Sequence, residues 1–316
     1  MKALVSVVMP AYNCARYISQ AIHSILDQSY SNFELLIWDD GSTDGTVEQI
    51  KMITDSRIVL YRNYQNKGYP DVMNSLFDVA GGDFVMIQDA DDWAHTHRIE
   101  KLIEAITNNP GFDLVGSRLI KFYPNGKYQN VYSELVACKL NDSFIQYSRP
   151  DIVFGTLLMR RNVTKTPFRN LMFITRAHDI DWLFRVSENH QLMNCSEHLY
   201  YYRHHGQSMS NANKREHLYN YFFWEYICFI SRFRREKGID LLQSAYGKEL
   251  IDFLNTLIKK KKNVDPIFWE RHLAYRARRN GNWFEAVSLA LSAIKLHPFK
   301  KVVYQCLYKI LSRSFR

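Results

Sequence analysis

A mostly apolar segment of the sequence, Phe84–Gln88, runs directly into a cluster of three aspartates, Asp89, Asp91 and Asp92. Carboxylates this close together raise each other's pKa and destabilise the fold unless a positive charge lies among them. Mg²⁺ and Mn²⁺ take oxygen ligands, and they often bind through one or two carboxylates together with substrate phosphates. The spacing therefore predicts a divalent cation at the end of a buried strand.

A second acidic pair, Asp39 and Asp40, also ends an apolar segment. A lone Asp-x-Asp sequence is more often a solvated turn, in which Asp91 or Asp92 caps the helix that follows. Two acidic strand ends in one chain favour the metal interpretation, because ligands bind beyond the carboxyl ends of the strands in open parallel sheets.

The segments around these acids alternate between strand patterns and helix patterns. Short apolar or β-branched runs predict strands, and apolar residues at helical spacing predict the helices between them. The predicted strands are 4–10, 33–40, 57–63 and 84–88, and the predicted helices include 15–28 and 71–79. This order predicts an α/β fold with a mainly parallel sheet and helices on both faces, so the polar strand ends meet in one crevice.

Six segments, in this order, resemble glycosyltransferases of family 2, which have the GT-A fold. They are VSVVMPAYN, AIHSILDQSYSNFELLIWDDGSTDGT, NKG, DFVMIQDADD, HDIDWLFR and YYRHHGQSMS, and they span roughly residues 4–210. The resemblance implies a GT-A-type nucleotide-binding α/β domain with a mixed, mainly parallel sheet. It implies transfer of a sugar from a nucleotide-sugar to an acceptor hydroxyl, usually with inversion and usually with Mn²⁺ or Mg²⁺.

The resemblance assigns donor-binding roles to the polar strand ends. Tyr12 is expected to pack on the nucleotide base and Asp40 to accept a hydrogen bond from it, whereas Asp39 contacts the ribose or orders its loop. Lys67 is expected to reach a phosphate, its alternative being a solvated loop position. The full predicted donor set is Pro10, Ala11, Tyr12, Asn13, Asp39, Asp40, Lys67, Asn74, Asp89 and Arg203.

The resemblance also implies the metal ligands. Asp91 is expected to contact the cation and Asp89 to contact the ribose or the cation, while Asp92 is able to replace either. His205, in the segment Tyr-Tyr-Arg-His-His, is expected to ligate the metal or to meet the diphosphate, as is Arg203. The alternative for His205 is an ordinary polar loop residue.

The segment around Asp179 aligns with the catalytic base of the family. A carboxylate near the acceptor hydroxyl takes its proton as the oxygen attacks the anomeric carbon. Asp179 is the predicted base and Asp181 the reserve, whose alternative role is an ion pair with Arg185 four residues further on. Two positions depart from the family pattern: His178 replaces the usual Glu, and Met73 stands where an Arg commonly precedes the Asn.

Positive charge is concentrated in the last third of the chain. Residues 1–214 carry 21 Lys and Arg against 23 Asp and Glu, whereas residues 215–316 carry 20 against 9. This asymmetry predicts two parts with different partners. We expect a GT-A-like glycosyltransferase domain over 1–214 and a basic helical region over 215–316.

The closing segment, 299–316, has the pattern of a basic amphipathic helix. Val303, Leu307, Ile310 and Leu311 share one face, and Lys residues occupy another. Such helices bind anionic membrane surfaces, although the same stripe also suits packing on the rest of the protein. Nucleic-acid binding is a weaker alternative, since the remainder of the chain offers an acidic crevice.

Neither a membrane-spanning nor a secretory segment is evident in the sequence. No apolar run reaches the length of about 20 residues that a spanning helix needs, the N-terminal segment lacks a signal-peptide pattern, and the five cysteines form no CxxC pair. We therefore expect a cytoplasmic enzyme, peripheral on the inner face of the membrane. Its expected donor is a UDP-sugar and its acceptor a saccharide or lipid-linked saccharide, in the assembly of a surface polysaccharide or lipid-linked glycan.

Two other functions remain compatible with these residues. One is a metal-dependent nucleotidyl- or phosphotransferase that uses the same acidic residues. The other is a nucleotide-sugar-binding scaffold without turnover, which the departures at Met73 and His178 leave open.

Overall fold

The computed structural model of the chain describes residues 2–131, 152–205, 218–242, 246–279 and 281–312. The chain divides into two compact units, the first comprising Met1–Leu171 and Thr175–His205, the second Met172–Ile174 and Gly206–Arg316. The predicted boundary between residues 214 and 215 falls within 206–217, which lies outside the described ranges. A domain boundary at that position therefore stays a prediction.

The first unit is built on a single sheet whose strands alternate with helices. In chain order the strands are β1 (Val5–Ala11), β2 (Phe33–Asp40), β3 (Ile58–Asn63), β4 (Phe84–Ile87), β5 (Trp93–Ala94), β6 (Leu114–Phe122), β7 (Tyr128–Val131), β8 (Leu158–Arg160) and β9 (Leu192–Arg203). The helices are α1 (Ile18–Leu26), α2 (Thr46–Lys51), α3 (Tyr69–Val79), α4 (Arg98–Asn108) and α5 (His178–Val186).

The strands pair in the order β3-β2-β1-β4-β8-β6-β9-β5, with β7 added to β6. The neighbours β3-β2, β2-β1, β1-β4 and β6-β9 are parallel. The short β8 is antiparallel to both β4 and β6, and β5 is antiparallel to β9. The predicted mixed, mainly parallel α/β fold is confirmed.

Strand β1 lies at the centre of the parallel part and is buried on both faces. Val5, Val7, Val8 and Met9 have no exposed surface, which fits a strand with helices on both sides, where every position must be apolar. The parallel registers align the carboxyl ends, since Ala11 lies opposite Asp39. The polar residues that follow β1, β2 and β4 are thereby brought to one edge of the sheet, as the sequence predicts.

The second unit is helical. Its helices are α6 (Phe223–Lys237), α7 (Gly247–Val264), α8 (Phe268–Arg279), α9 (Trp283–Leu296) and α10 (Lys301–Leu311). Helices α8, α9 and α10 share one apolar core, made of Ile267, Ala274, Ala277, Ala286, Ala290, Ala293, Val303, Cys306 and Ile310. The alanines recur every three or four residues on α8 and α9, which allows their backbones to approach closely.

The apolar stripe of the closing segment does not face outwards as a whole. Val303 and Ile310 are fully buried in the helical core, Leu307 packs against that core, and Leu311 is half exposed. For these buried residues the alternative of packing within the protein is correct, and insertion of the whole stripe into a membrane is wrong. None of the described helices combines the length and hydropathy that crossing a membrane requires.

Candidate active site

The acidic cluster (Asp89, Asp91 and Asp92) follows β4 at the carboxyl edge of the sheet. The Tyr200 hydroxyl on β9 lies 3.0 Å from Oδ2 of Asp89 and 2.8 Å from Oδ2 of Asp92. A phenol carries one proton, so the second of these contacts calls for a proton on a carboxyl group. Burial, followed by repulsion from Asp91, raises the pKa of Asp89 to about 7. Burial also raises the pKa of Asp92 well above its usual range.

Asp92 is the buried member of the cluster, with 1% of its surface exposed. Its Oδ1 accepts a 2.6 Å hydrogen bond from the backbone N–H of Arg203, and its Oδ2 contacts the Tyr200 hydroxyl. Both carboxylate oxygens are therefore used to fasten β9 to the acidic turn. The predicted role of Asp92 as a replacement metal ligand is disfavoured by this arrangement, because neither oxygen is free to turn towards a ligand.

Asp91 is the more accessible member, and the structure brings it to His205. Oδ2 of Asp91 lies 2.8 Å from Nε2 of His205, whose ring is 4.6 Å from that of Tyr17. The Asp91 side chain keeps 29% of its surface exposed. The two residues predicted as metal ligands from distant parts of the sequence are thus neighbours.

Arg203 braces the same turn. Its Nε donates to the backbone carbonyl of Asp91 at 2.9 Å, and one terminal nitrogen donates to the side chain of Gln20 at 2.6 Å. The guanidinium lies 4.9 Å from the ring centre of Tyr17 and 4.6 Å from that of Trp93. Its predicted contact with a diphosphate stays a prediction, since this geometry gives it a structural role first.

The residues after β1 and those after β2 form one polar rim. Asn13 adopts the left-handed backbone conformation, with φ at 49°. Its side-chain oxygen accepts from the backbone N–H of Thr43, and its own N–H donates to the hydroxyl of Ser42, both at 2.9 Å. Tyr12 is half exposed at this rim, and Pro10 and Ala11 end the strand beneath it. A flat aromatic surface is therefore available beside the acidic strand end.

Asp40 uses its carboxylate inside the protein. Oδ1 accepts from the side chain of Asn63 at 2.8 Å and from the backbone N–H of Lys67 at 2.9 Å, and Oδ2 accepts from Gly68 N–H at 2.9 Å. Asp40 thus holds the loop that carries Lys67, whose side chain is exposed. Its predicted contact with a nucleotide base stays a prediction that competes with these three bonds.

Asp39 is fully buried, and one of its oxygens has no partner. Oδ2 accepts from the backbone N–H of Ser42 at 3.2 Å and lies 3.6 Å from Nε of Arg62. Oδ1 makes no hydrogen bond with any described residue. Because buried carboxylate oxygens are normally hydrogen-bonded, this atom is an acceptor that a ligand could satisfy.

Asn74 is hydrogen-bonded to the backbone of Phe168 through both its amide nitrogen and its amide oxygen. Its amide nitrogen donates to the carbonyl of Phe168 at 3.0 Å, and its oxygen accepts from the N–H of the same residue at 2.7 Å. Both ends of the amide are therefore occupied in bracing one backbone segment. The predicted contact of Asn74 with the donor stays a prediction beside this bracing role.

The two candidate bases on α5 have different surroundings. Asp181 is buried, and its carboxylate accepts hydrogen bonds from Arg169 at 2.7 and 2.8 Å and from Arg185 at 3.0 Å. It therefore forms the ion pair with Arg185 that the sequence offered as its alternative role. Burial raises the pKa of Asp179 above its usual range. Nδ1 of His178, the first residue of α5, lies 3.2 Å from the backbone carbonyl oxygen of Arg169.

Tyr69 is subject to the charges of both Asp179 and Asp89. Burial raises the pKa of Tyr69 well above its usual range, and the charges of Asp89 and Asp179 raise it further. The charge of Asp179 also contributes to the raised pKa of Asp89. The charge of the candidate base therefore acts on both Tyr69 and Asp89.

Sequence reasoning missed Tyr69 and Tyr200. It also missed Arg98, which donates to the backbone carbonyl of Gly155 at 2.7 Å. Tyr200 lies within the strand sequence HLYYYR, where an aromatic residue is expected in the core. Arg98 begins α4, where a charged residue is usually solvated. Their spacing from the aspartates carries no signal, because the contacts join segments that are distant in the chain.

A family model described as glycosyl transferase family 2 matches residues 6–167, slightly more than half of the chain. The chain belongs to glycosyltransferase family 2. It is 33% identical over 202 residues to the glycosyltransferase EpsE of Bacillus subtilis (strain 168), covering 62% of this chain and 71% of that protein. It is also 31% identical over 227 residues to WfaP of Escherichia coli, named as a UDP-Glc:alpha-D-GlcNAc-diphosphoundecaprenol beta-1,3-glucosyltransferase, covering 68% and 82%.

Solved structures share the fold of this family 2 glycosyltransferase at low sequence identity. TarS 1–349 of S. aureus in complex with UDP-GlcNAc has a TM-score of 0.63 at 19% identity, over 98% of this chain and 90% of that one. The mannosyltransferase PcManGT of Pyrobaculum calidifontis, in complex with GDP-Man and Mn²⁺, has a TM-score of 0.51 at 15% identity, over 98% and 79%. The predicted GT-A fold and glycosyltransferase class are confirmed, and the class sets aside nucleotidyl transfer and the scaffold without turnover.

The paired arginines give Asp181 a testable structural role. Asp181→Asn leaves two arginines beside a neutral amide in a buried site, and such losses cost about 3–5 kcal/mol of stability. We expect a clear fall in Tm by calorimetry, whereas Asp179→Asn, on the same helix, should change Tm little. An equal Tm for the two variants would contradict the structural assignment.

Proposed function

We propose that this glycosyltransferase moves a sugar from a nucleotide-sugar to an acceptor hydroxyl with inversion, assisted by a divalent cation. The observation that carries the proposal is the acidic cluster at the sheet edge, where Oδ2 of Asp91 lies 2.8 Å from Nε2 of His205. The proposed pathway setting is the assembly of a surface polysaccharide or lipid-linked glycan. The names of WfaP, with its diphosphoundecaprenol acceptor, and of the UDP-GlcNAc complex of TarS support this choice of substrates.

No three His, Cys, Asp or Glu side chains among the described residues converge as a preformed metal site. We therefore propose a cation held by the acidic cluster together with the phosphates of the donor, as Mg²⁺ often is. Asp91 offers a partly exposed carboxylate, Asp89 lies beside it, and the imidazole of His205 is 2.8 Å from Asp91. Repulsion from Asp91 contributes to the raised pKa of Asp89, and a cation held by these oxygens would relieve that repulsion. When bound, such a cation acts as a Lewis acid that stabilises a departing diphosphate. The Mn²⁺ complex of PcManGT supports the choice of metal.

The donor is proposed to be a UDP-sugar bound along the polar rim. Tyr12, half exposed at the end of β1, would pack on the base. The unpartnered Oδ1 of Asp39 would accept a hydrogen bond from the nucleoside. Asp40 would act indirectly, since it holds the loop of Lys67 and Gly68 that borders this rim.

Asp179 is proposed as the general base. Inversion requires the acceptor oxygen to attack opposite the leaving nucleotide, with a carboxylate positioned to take its proton. Asp179 is half buried without an arginine partner among its described contacts, whereas the carboxylate of Asp181 is committed to Arg169 and Arg185. Burial raises the pKa of Asp179, which makes its carboxylate a stronger base than an exposed one.

Substitution of Asp91 tests the cation site. Asp91→Asn should weaken Mn²⁺-dependent UDP binding at least tenfold, because the accessible carboxylate is removed. In metal-free buffer its Tm should be equal or higher, since one repelling charge is gone. Titration calorimetry with and without Mn²⁺ measures the UDP affinity, and scanning calorimetry measures Tm. The control is Asp78→Asn, at an exposed position of α3. An unchanged Mn²⁺-dependent affinity would remove Asp91 from the site.

Substitution of Asp179 tests the base. Asp179→Asn should lower kcat for transfer by about 10²–10⁴-fold with little change in donor affinity. Only the ionised carboxylate accepts a proton, so wild-type kcat/KM should fall as the pH drops through the raised pKa of Asp179. The assay uses UDP-glucose and α-GlcNAc-diphosphoundecaprenol, the substrates in the name of WfaP. If Asp181→Asn loses turnover at unchanged Tm and Asp179→Asn does not, the assignment is off by two residues.

We further propose that the enzyme binds the inner face of an anionic membrane through exposed residues near its C-terminus. Phe299 is 98% exposed, and Tyr304 and Tyr308 expose half or more of their surface. Lys301 and Lys309 are exposed on the same stripe of α10. Aromatic rings beside lysines suit the headgroup region, where each basic residue contributes about 1 kcal/mol. We propose this exposed surface as the membrane contact in place of the apolar stripe, which is largely buried.

Charge reversal tests this surface better than truncation, because removing 299–316 would also remove the buried Val303 and Ile310. Lys301→Glu with Lys309→Glu should lower sedimentation with phosphatidylglycerol vesicles at least tenfold at low salt, with less effect at high salt. The control is Lys51→Glu with Lys127→Glu, both exposed positions of the first unit. Failure of the wild-type protein to sediment at low salt would end the membrane proposal.

A further inference from the structure

Arg98 is a fully buried cation at the first position of α4. One terminal nitrogen donates to the side-chain oxygen of Gln88 at 2.8 Å. The other donates to the carbonyls of Ile87 at 2.8 Å and Gly155 at 2.7 Å. Among the described residues, no carboxylate lies within ion-pair distance of this guanidinium. A buried charge without a direct partner is costly, so its retention calls for an explanation.

The guanidinium of Arg98 lies under the residue that touches the acidic cluster. It is 4.7 Å from the ring centre of Tyr200, and the hydroxyl at the other end of that ring contacts both Asp89 and Asp92. A cation over the face of an aromatic ring is attracted to it, and more strongly where water is excluded. The contact of Arg98 with the ring therefore helps to fix the position of the Tyr200 hydroxyl.

Gly155 forms the opposite wall of Asp89. A Cβ at this position would lie 2.7 Å from Oδ2 of Asp89 and 2.9 Å from the Tyr200 hydroxyl. The bond from Arg98 to the carbonyl of Gly155 holds this backbone against the carboxylate. Asp89 is thus confined between the two groups that Arg98 contacts.

We propose that Arg98 and Tyr200 act as a positioning pair that aims the Asp89 carboxylate and keeps it available to a divalent cation. This inference rests on the proposed cation site. Arg98 joins the end of β4, the turn at Gly155 and strand β9, and its charge opposes the accumulation of negative charge in the acidic cluster. Burial lowers the pKa of Arg98 to about 10, while the charges of Asp89 and Asp92 oppose that shift, so it is a cation at neutral pH.

Tyr200→Phe isolates the hydroxyl. The ring and its contact with Arg98 remain, and only the contacts with the two carboxylates are lost. Titration of Mn²⁺ followed by electron paramagnetic resonance, with and without UDP, should show at least tenfold weaker Mn²⁺ binding. The matched control is Tyr201→Phe, since the adjacent Tyr201 packs on Trp93 and Phe122. It should bind Mn²⁺ as the wild type does.

Arg98→Lys isolates the geometry of the guanidinium while it keeps the charge. A lysine cannot bridge Gln88, Ile87 and Gly155 together, so Mn²⁺ affinity should fall at least tenfold and the donor KM should rise more than kcat falls. The control is Arg160→Lys, because Arg160 also donates to backbone carbonyls, at Phe112 and Ile106. This control should lower Tm without changing Mn²⁺ affinity.

The outcomes distinguish failure of the positioning role from failure of the cation site itself. If the wild type binds Mn²⁺, and Tyr200→Phe and Arg98→Lys bind it within twofold of the wild type, the positioning role is overturned even where Tm falls. If Arg160→Lys weakens Mn²⁺ binding as much as Arg98→Lys does, the effect is general loss of stability, and the role is equally overturned. If the wild type binds no Mn²⁺, the cation proposal falls and this inference falls with it.

Discussion

Repulsion among the carboxylates that follow β4 is the constraint on which the first unit depends. Burial in a low-dielectric setting raises the cost of ionising Asp89 and Asp92, as their raised pKa values show. The protein offsets this cost from three directions: the Tyr200 hydroxyl, the Arg203 N–H and the more distant charge of Arg98. The parallel strands bring the acids to the edge of the sheet, and the antiparallel pairing of β5 with β9 brings Tyr200 and Arg203 to meet them.

Much of this arrangement could be predicted from the sequence because it follows from local patterns. Apolar runs ending in acids predict strand ends, and parallel strands place their carboxyl ends together. In this way Asp89 and Asp91 were predicted to lie at the end of β4, which is their position in the structure, and their role as metal ligands stays a prediction. The division of labour within the acidic cluster could not be predicted, because it depends on Tyr200, more than a hundred positions away. Asn74 shows the same limit, since its partner Phe168 lies 94 residues further on.

The helical second unit shows a different limit of sequence patterns. Periodicity identified an amphipathic helix near the C-terminus, and α10 is such a helix. Periodicity does not state what covers an apolar stripe, so membrane and protein both remained candidates, and the concentration of positive charge placed the membrane slightly ahead. The small residues Ala286, Ala290 and Ala293 at helical spacing were the available signal for a close helical neighbour. The exposed side of α10 instead carries Tyr304 and Tyr308, whereas its aliphatic residues Val303 and Ile310 lie in the helical core.

The three hydrogen bonds that Asp40 accepts have a consequence for the energetics of ligand capture. Two of them hold the backbone of Lys67 and Gly68 at the end of β2 before any nucleotide arrives. Ordering a flexible segment on association reduces affinity, because its conformational freedom is lost at that moment. Here the loop loses that freedom once, when the chain folds. If the donor binds beside this loop as proposed, each later cycle of donor binding and nucleotide release proceeds without repeating the loss there.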